Sequence, residues 1–182
     1  MKIRPQRITD PATMGELIDL IEETHHTFTR SEMSRIAGMM EDPSFAELSH
    51  FEDIRQCFGA LRADLEPHMS KEEFILFPYI TALEADPASQ PDSCFGSLAH
   101  PIRAMRFEHI AMVGMLENLR ELTAQYRPAA ENDPQIFLIF AALAALDADL
   151  VEHMHWEDHV LFPRALQLES RIANRKNPDE SA

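Results

Sequence analysis

Apolar residues recur at intervals of three and four along four long stretches of this chain, with charged residues between them. Met14, Leu17, Ile18, Ile21 and Phe28 make the first stripe, the spacing of one buried face on a helix. It predicts a helix from about Pro11 to Met40, capped by Thr9 or Asp10, with Pro11 in its first turn. Phe51, Ile54, Phe58, Leu61 and Leu65 predict a second helix from about Phe45 to Ala85. The breaker run Asp86-Pro87-Ala88-Ser89-Gln90-Pro91-Asp92-Ser93 separates it from a third, about Ser97 to Tyr126. A fourth starts near Asp133-Pro134 and continues to about Asn174, and the polar tail 175–182 is expected to fray. Pro67, Pro78 and Pro163 each remove a backbone donor inside these stretches. Apolar periodicity resumes beyond them, which predicts bends and not chain reversals.

The pattern is duplicated. Ala60–Glu84 aligns with Ala145–Glu169 at an offset of 85, with 13 of 25 positions identical. His26 and His109 stand 83 residues apart, close to the same offset. The chain therefore reads as a helical hairpin copied once. Two hairpins about a pseudo-twofold axis give an all-α, up-down-up-down four-helix bundle, one domain over 1–182 with its bundle at about 10–174. Counting along the helices brings His68, His109 and His153 to one level within about a turn. His26 fits that level less well, so the stretch Met40–His50 is expected to be irregular and to hold a separate short helix.

Composition narrows the classes. Apolar residues make up 45% of the 182, enough for a core, and only five glycines favours helices over tightly turned sheet. Sixteen Lys and Arg against 31 Asp and Glu leave a formal charge of −15, which argues against nucleic acid or an anionic membrane as partner and suits cations. Cys57 and Cys94 form no CxxC pair, and no apolar leader follows Met1. These features point to a cytoplasmic protein. The apolar run Ile136 to Leu146 is too short for a membrane span and reads as a buried helix face.

The chemistry lies in the repeat. His68 and Glu72 in one copy, and His153 and Glu157 in the other, are four apart and share a helix face. One such pair is commonly a surface pair. Here both pairs persist while neighbours at Ser70/His155, Lys71/Trp156 and Phe74/His159 have diverged. Together with His26 and His109 they make a candidate set of six metal ligands. With both glutamates bridging, each of two ions receives two imidazoles and two carboxylate oxygens, and keeps positions open for a ligand. Mixed imidazole and carboxylate donors suit iron, with manganese and zinc as alternatives. The remaining histidines are weaker candidates: His25 as a surface or outer group, His50 as an additional ligand, His155 and His159 beside the site, His100 at the surface. Glu108 either orients a ligand or is a solvated carboxylate. The two Leu-Phe-Pro triplets, Tyr79 and Trp156 read first as packing.

At these residues the chain resembles the hemerythrin-like superfamily and, more narrowly, the bacterial iron–sulfur cluster repair di-iron family. The resemblance rests on His68-Met-Ser-Lys-Glu72-Glu-Phe-Ile-Leu-Phe-Pro78, on Pro101-Ile-Arg-Ala-Met-Arg-Phe-Glu108-His109 with Gly114, on His153-Met-His-Trp-Glu157-Asp-His-Val-Leu-Phe-Pro163, and on His26 with Arg30. It covers nearly the whole chain. Hemerythrin carries a second His four residues along its third helix; here that position is Val113, which disfavours oxygen carriage in that style. Two further departures stand out. The repair family's small N-terminal domain with a cysteine motif has no counterpart in these residues. Its additional His, between the first-helix His and the HxxxE helix, falls near Met39–Met40, and His50 is the one His in that interval.

What the resemblance implies is a cytoplasmic non-haem di-iron protein that binds NO or O2, acts in nitrosative or oxidative stress, and serves iron–sulfur proteins as a repair factor. A second reading is a sensor or store for O2, NO or iron that binds without turnover. A third is a structural bundle with incidental His and Glu. Whether the chain is a monomer or a homodimer is left open.

Overall fold

The computed structural model describes residues 13–43, 45, 48, 50–87, 95–129 and 134–176. Among them are four antiparallel helices: the first over 14–39, the second over 51–85, the third Ala99–Leu122 and the fourth over 134–176. This is the up-down-up-down bundle that the periodicity predicts. The tail expected to fray lies, for 177–182, outside the described residues.

The ends differ from the sequence expectation for local reasons. The first helix is capped by Thr13, whose hydroxyl accepts from Glu16 N at 3.0 Å while Glu16 returns a bond to Thr13 N, a capping box. The expected caps Thr9 and Asp10 lie outside the described residues. The second helix starts at Phe51, not Phe45. Phe45 is buried and stacks on Phe51 at 5.7 Å, so an apolar plug in the connection imitates the helical stripe. The described part of that connection is irregular, as expected: tight turns close with Phe45 N donating to Asp42 O at 3.2 Å, Leu48 N to Phe45 O at 3.0 Å and Phe51 N to Leu48 O at 3.1 Å, and positions 43 and 45 have 3-10 geometry. The third helix stops at Leu122, and Ala124, Gln125 and Tyr126 follow with positive φ. Asp147 holds this turn: it accepts two bonds from Arg120 and one from Tyr126 Oη at 2.6 Å. Three left-handed non-glycine residues are unfavourable and need such an anchor.

Three widened π turns interrupt the helices, at Ile21–His26, Glu72–Leu76 and Glu157–Leu161. The last two begin at the duplicated glutamates and close with Phe77 N donating to Glu72 O and Phe162 N donating to Glu157 O. The prolines next in line, Pro78 and Pro163, lack an N–H and would crowd the carbonyl four residues back. A turn with one extra residue accommodates them, and the helix continues past each proline. In the first helix no proline is present; Thr27 Oγ1 and Thr27 N both donate to Glu22 O. The extra residue shifts the register beyond it. Phe28, expected on the apolar stripe, is half-buried, and Thr29, Met33 and Ile36 face the core instead.

The apolar interior falls into two clusters. One, at the end where the first and third helices begin, contains Leu17, Ile21, Leu76, Phe77, Ile80 and Phe162. The other, toward the opposite end, contains Met33, Leu61, Leu65, Leu116, Leu143 and Leu150. By length and composition alone the fourth helix could cross a membrane; in the bundle its apolar face, from Ile136 through Leu150, lines the second cluster. The duplication reaches the helix ends. Glu84 accepts from Met14 N and Gly15 N at 2.9 Å, and its counterpart Glu169 accepts from Leu98 N at 2.8 Å and Ser97 Oγ at 2.9 Å. Each carboxylate thus caps the start of the helix preceding its own.

Replacing Glu84 or Glu169 by Ala should lower unfolding stability by about 1 kcal/mol each, read as a shift of the denaturant midpoint. Asp147→Ala should cost more, about 2 kcal/mol, because it strands Arg120 and Tyr126 together.

Candidate metal centre

Between the two apolar clusters lies a polar layer made of the six residues singled out by the repeat. Glu72 and Glu157 are 0% exposed, and His26, His68, His109 and His153 at most 3%. The structure brings all six together as two overlapping groups: His26, His153, Glu72 and Glu157, and His68, His109, Glu72 and Glu157. Within each group the donor atoms lie within 4.8 Å of one another. His26 Nε2 approaches His153 Nε2 at 3.1 Å, and His68 Nε2 approaches His109 Nε2 at 3.2 Å. Glu72 spans the groups, with Oε2 at 3.4 Å from His26 Nε2 and Oε1 at 3.3 Å from His68 Nε2. Glu157 does the same, with Oε1 at 2.9 Å from His153 Nε2 and Oε2 at 3.1 Å from His109 Nε2. Each group therefore takes one His from each duplicated half.

The π turns explain the aim of these side chains. His68 and Glu72 stand one α turn apart, and the wider turn that follows puts Phe77, not Leu76, next on the same face. Phe77 stacks on His26 at 5.9 Å and Phe162 on His109 at 6.2 Å. The phenylalanine of each Leu-Phe-Pro triplet is thus both core and a wall for an imidazole. Tyr79 packs against Phe95, as expected of a core residue.

A layer of carboxylates sets the imidazoles. His26 Nδ1–H donates to Glu73 at 2.7 Å, His68 Nδ1–H to Glu108 at 2.8 Å, and His109 Nδ1–H to Asp158 at 3.0 Å. An ionised carboxylate only accepts, so each Nδ1 bears the proton and each Nε2 turns inward. Arg30 grips Glu73 with two bonds, Lys71 holds Glu108 and Arg106 holds Asp158. Glu73 and Asp158 were not among the residues singled out from the sequence. Their signal was an acidic residue directly after each repeated glutamate. Glu108, left between two roles, orients His68. His25, expected at the surface or outside the ligands, is 2% exposed; it stacks on His153 at 5.5 Å and donates from Nδ1 to Asp149 at 2.9 Å. His50 is exposed and bonds Asp53, so it adds nothing to the cluster, and His100 is at the surface. His155 and His159 are exposed and stacked on each other at 4.6 Å.

The electrostatics match a cation. Burial opposes charge on His26 and His68, but Glu72 and Glu157 with the outer carboxylates outweigh it and raise both imidazoles. For His109, burial is outweighed by Asp158 and Glu157, and the group is pushed up to about 10. Burial works against the negative charge of Glu157, yet His153 and His109 hold it well below the usual carboxylate range. The outer acids Glu73, Glu108 and Asp158 are lowered too: burial is outweighed by Arg30 and His26, by Lys71 and His68, and by His109 and Arg106. Raised imidazoles and a lowered carboxylate are the response of groups that stabilise one another's charge, and a divalent ion can take the place of imidazole protons. Both oxygens of Glu72 and Oε2 of Glu157 are buried and make no well-formed hydrogen bond, although imidazole Nε2 atoms face them at 3.1–3.4 Å. Carboxylate oxygens at such depth are costly unless something positive faces them. The donor set therefore fits metal ions.

Comparison with known proteins agrees with this geometry. The profile of the hemerythrin HHE cation-binding domain matches residues 16–165. A protein named iron–sulfur cluster repair protein YtfE from Musicola paradisiaca (strain Ech703) is 32% identical over 166 residues, covering 87% of this chain and 68% of the relative. Proteins of the same name from Edwardsiella ictaluri (strain 93-146) and Yersinia pseudotuberculosis serotype IB (strain PB1/+) are each 30% identical, over 158 and 160 residues, covering 85% of this chain and 67% and 66% of the relatives. The cage of His and Glu, the bundle that carries it and these matches lead to one assignment: the chain belongs to the hemerythrin HHE cation-binding domain family and resembles, within it, the bacterial iron–sulfur cluster repair proteins.

Proposed function

We propose that this chain is a cytoplasmic non-haem di-iron protein that binds a diatomic ligand, NO or O2, and serves in iron–sulfur cluster repair under nitrosative or oxidative stress. In this reading His26 and His153 would hold one ion, His68 and His109 the other, and Glu72 and Glu157 would offer one oxygen to each. The observation that carries it is the pair of fully buried glutamates, each with one oxygen turned to each imidazole pair. Bound there, a ferrous pair supplies electrons and open coordination positions.

The chain's own residues supply the rest. Glu73, Glu108 and Asp158 keep three of the imidazoles in the tautomer that offers Nε2 inward. Phe77 and Phe162 wall the layer off from water on one side, and Met69 and Met154 are buried on the other. A groove of about 340 Å³ between the third and fourth helices is lined by Ile110, Val113, Val151 and Met154 together with His109, His155, Asp158 and His159. It gives a small ligand a partly apolar approach to His109. The association with cluster repair rests on the relatives' names and on the shared motifs.

Protein purified without added metal should contain two irons per chain, the number the two imidazole pairs accommodate. The double variant His68→Ala/His153→Ala should lose them while keeping its helical circular dichroism; unchanged metal content would defeat the assignment. Anaerobically reduced protein should take up NO at least stoichiometrically, followed with an NO electrode, and an absence of uptake would remove the diatomic-ligand reading.

A further inference from the structure

Three of the four imidazoles have a carboxylate on Nδ1; His153 has none. Its Nδ1 is buried without any hydrogen-bond partner. The duplication shows what took the carboxylate's place. Glu108 precedes His109 and reaches across to His68. The residue that precedes His26 is His25, and it lies against His153, the counterpart of His68. His25 stacks face to face on His153, with 5° between the rings, and cannot accept the Nδ1 proton in that arrangement. Asp149, which anchors His25, is the counterpart of the exposed Asp64. Lys71, which holds Glu108, is replaced by Trp156. The exchange of Glu for His thus goes with one matching substitution, Lys71 for Trp156, and with a new partner for an aspartate that both halves keep.

The consequence is chemical. A carboxylate on Nδ1–H fixes the tautomer and makes Nε2 a stronger donor. His68 and His109 both have this support; of the other pair, only His26 has it. His153 Nε2 lies 2.9 Å from Glu157 Oε1, a bond it makes as donor when Nε2 carries the proton. Ligation at Nε2 ends that bond and moves the proton to Nδ1, where it is buried and unpaired. We propose that the two ion positions are unequal in affinity: the His68/His109 position is the tight one, the His26/His153 position the weak one, and His25, standing where the repeat calls for a carboxylate, is the positioning residue that makes them differ. This rests on the two-ion reading above and adds to it which position yields its ion first.

Cobalt(II) is a suitable probe, titrated into the metal-free full chain against a competing chelator and followed by its visible absorption and by calorimetry. Two ions should bind, in steps at least about tenfold apart. Glu108→Gln should weaken the tight step by about ten- to hundredfold and bring the two steps together, whereas Glu73→Gln should weaken the weak step alone. His25→Glu/Asp149→Asn, which places a carboxylate beside His153 and removes the acid next to it, should tighten the weak step. Circular dichroism and thermal melting establish that each variant is folded; should the double variant not fold, the two glutamine variants decide. Two ions bound in indistinguishable steps, or Glu108→Gln and Glu73→Gln acting on the same step, would overturn this inference alone. Saturation at one ion or none would overturn the two-ion reading and this inference with it.

Discussion

Two carboxylates with no exposure to water, Glu72 and Glu157, sit at the middle of an apolar bundle, and the arrangement around them answers that one liability. Unpaired, each would cost several kcal/mol in such a place. Four imidazoles face them, three outer carboxylates orient those imidazoles, and Arg30, Lys71 and Arg106 hold the outer carboxylates at the edge of the solvent. Along His26, His68 and His109 the layers alternate outward from the centre: carboxylate, imidazole, carboxylate, then Arg or Lys. The same alternation makes the centre receptive to cations, since a metal ion can stand where imidazole protons stand. Stability and function therefore draw on one set of contacts.

The apolar clusters on either side are as necessary as the ligands. They exclude water, which strengthens every interaction inside the layer, and through Phe77 and Phe162 they also fix two of the imidazoles. The π turns tie the two roles together. By inserting one residue after each buried glutamate they bring Phe77 and Phe162 onto the face of the inward His and Glu while the helix continues past a proline. A regular α turn would place Leu76 and Leu161 there. Widened turns of this kind are uncommon and concentrate at functional sites.

Duplication explains both the symmetry and where it ends. The buried glutamates, the inward histidines, the stacking phenylalanines and the capping pair Glu84 and Glu169 all occur twice. The outer layer does not follow: Glu108 faces His68, and His25 faces His153. The repair family's additional histidine, between the first and second helices, is a separate departure that falls near Met39–Met40. His50 does not fill that place, being exposed and paired with Asp53. The structure locates a difference between the halves in the outer layer.

The sequence by itself determined the four helices, their order, the duplication and the six inward residues, because periods of three and four and an exact offset of 85 are local or translational properties of a chain. It did not reveal the π turns at Ile21–His26, Glu72–Leu76 and Glu157–Leu161, since two weak signals, a proline six residues on or a threonine hydroxyl, each have commoner uses. For the same reason Phe28 was misplaced and His25 underrated: one inserted residue rotates the positions beyond it. Phe45 misled as to where the second helix begins, because burial in a connection and burial on a helix face look alike in sequence. Which His pairs with which was decided by the tertiary structure alone. Each cluster takes one His from each hairpin, His26 with His153 and His68 with His109, because antiparallel packing sets the first helix against the fourth and the second against the third. The partners are 127 and 41 residues apart along the chain, and only folding brings their nitrogens to about 3 Å, the reach of a hydrogen bond.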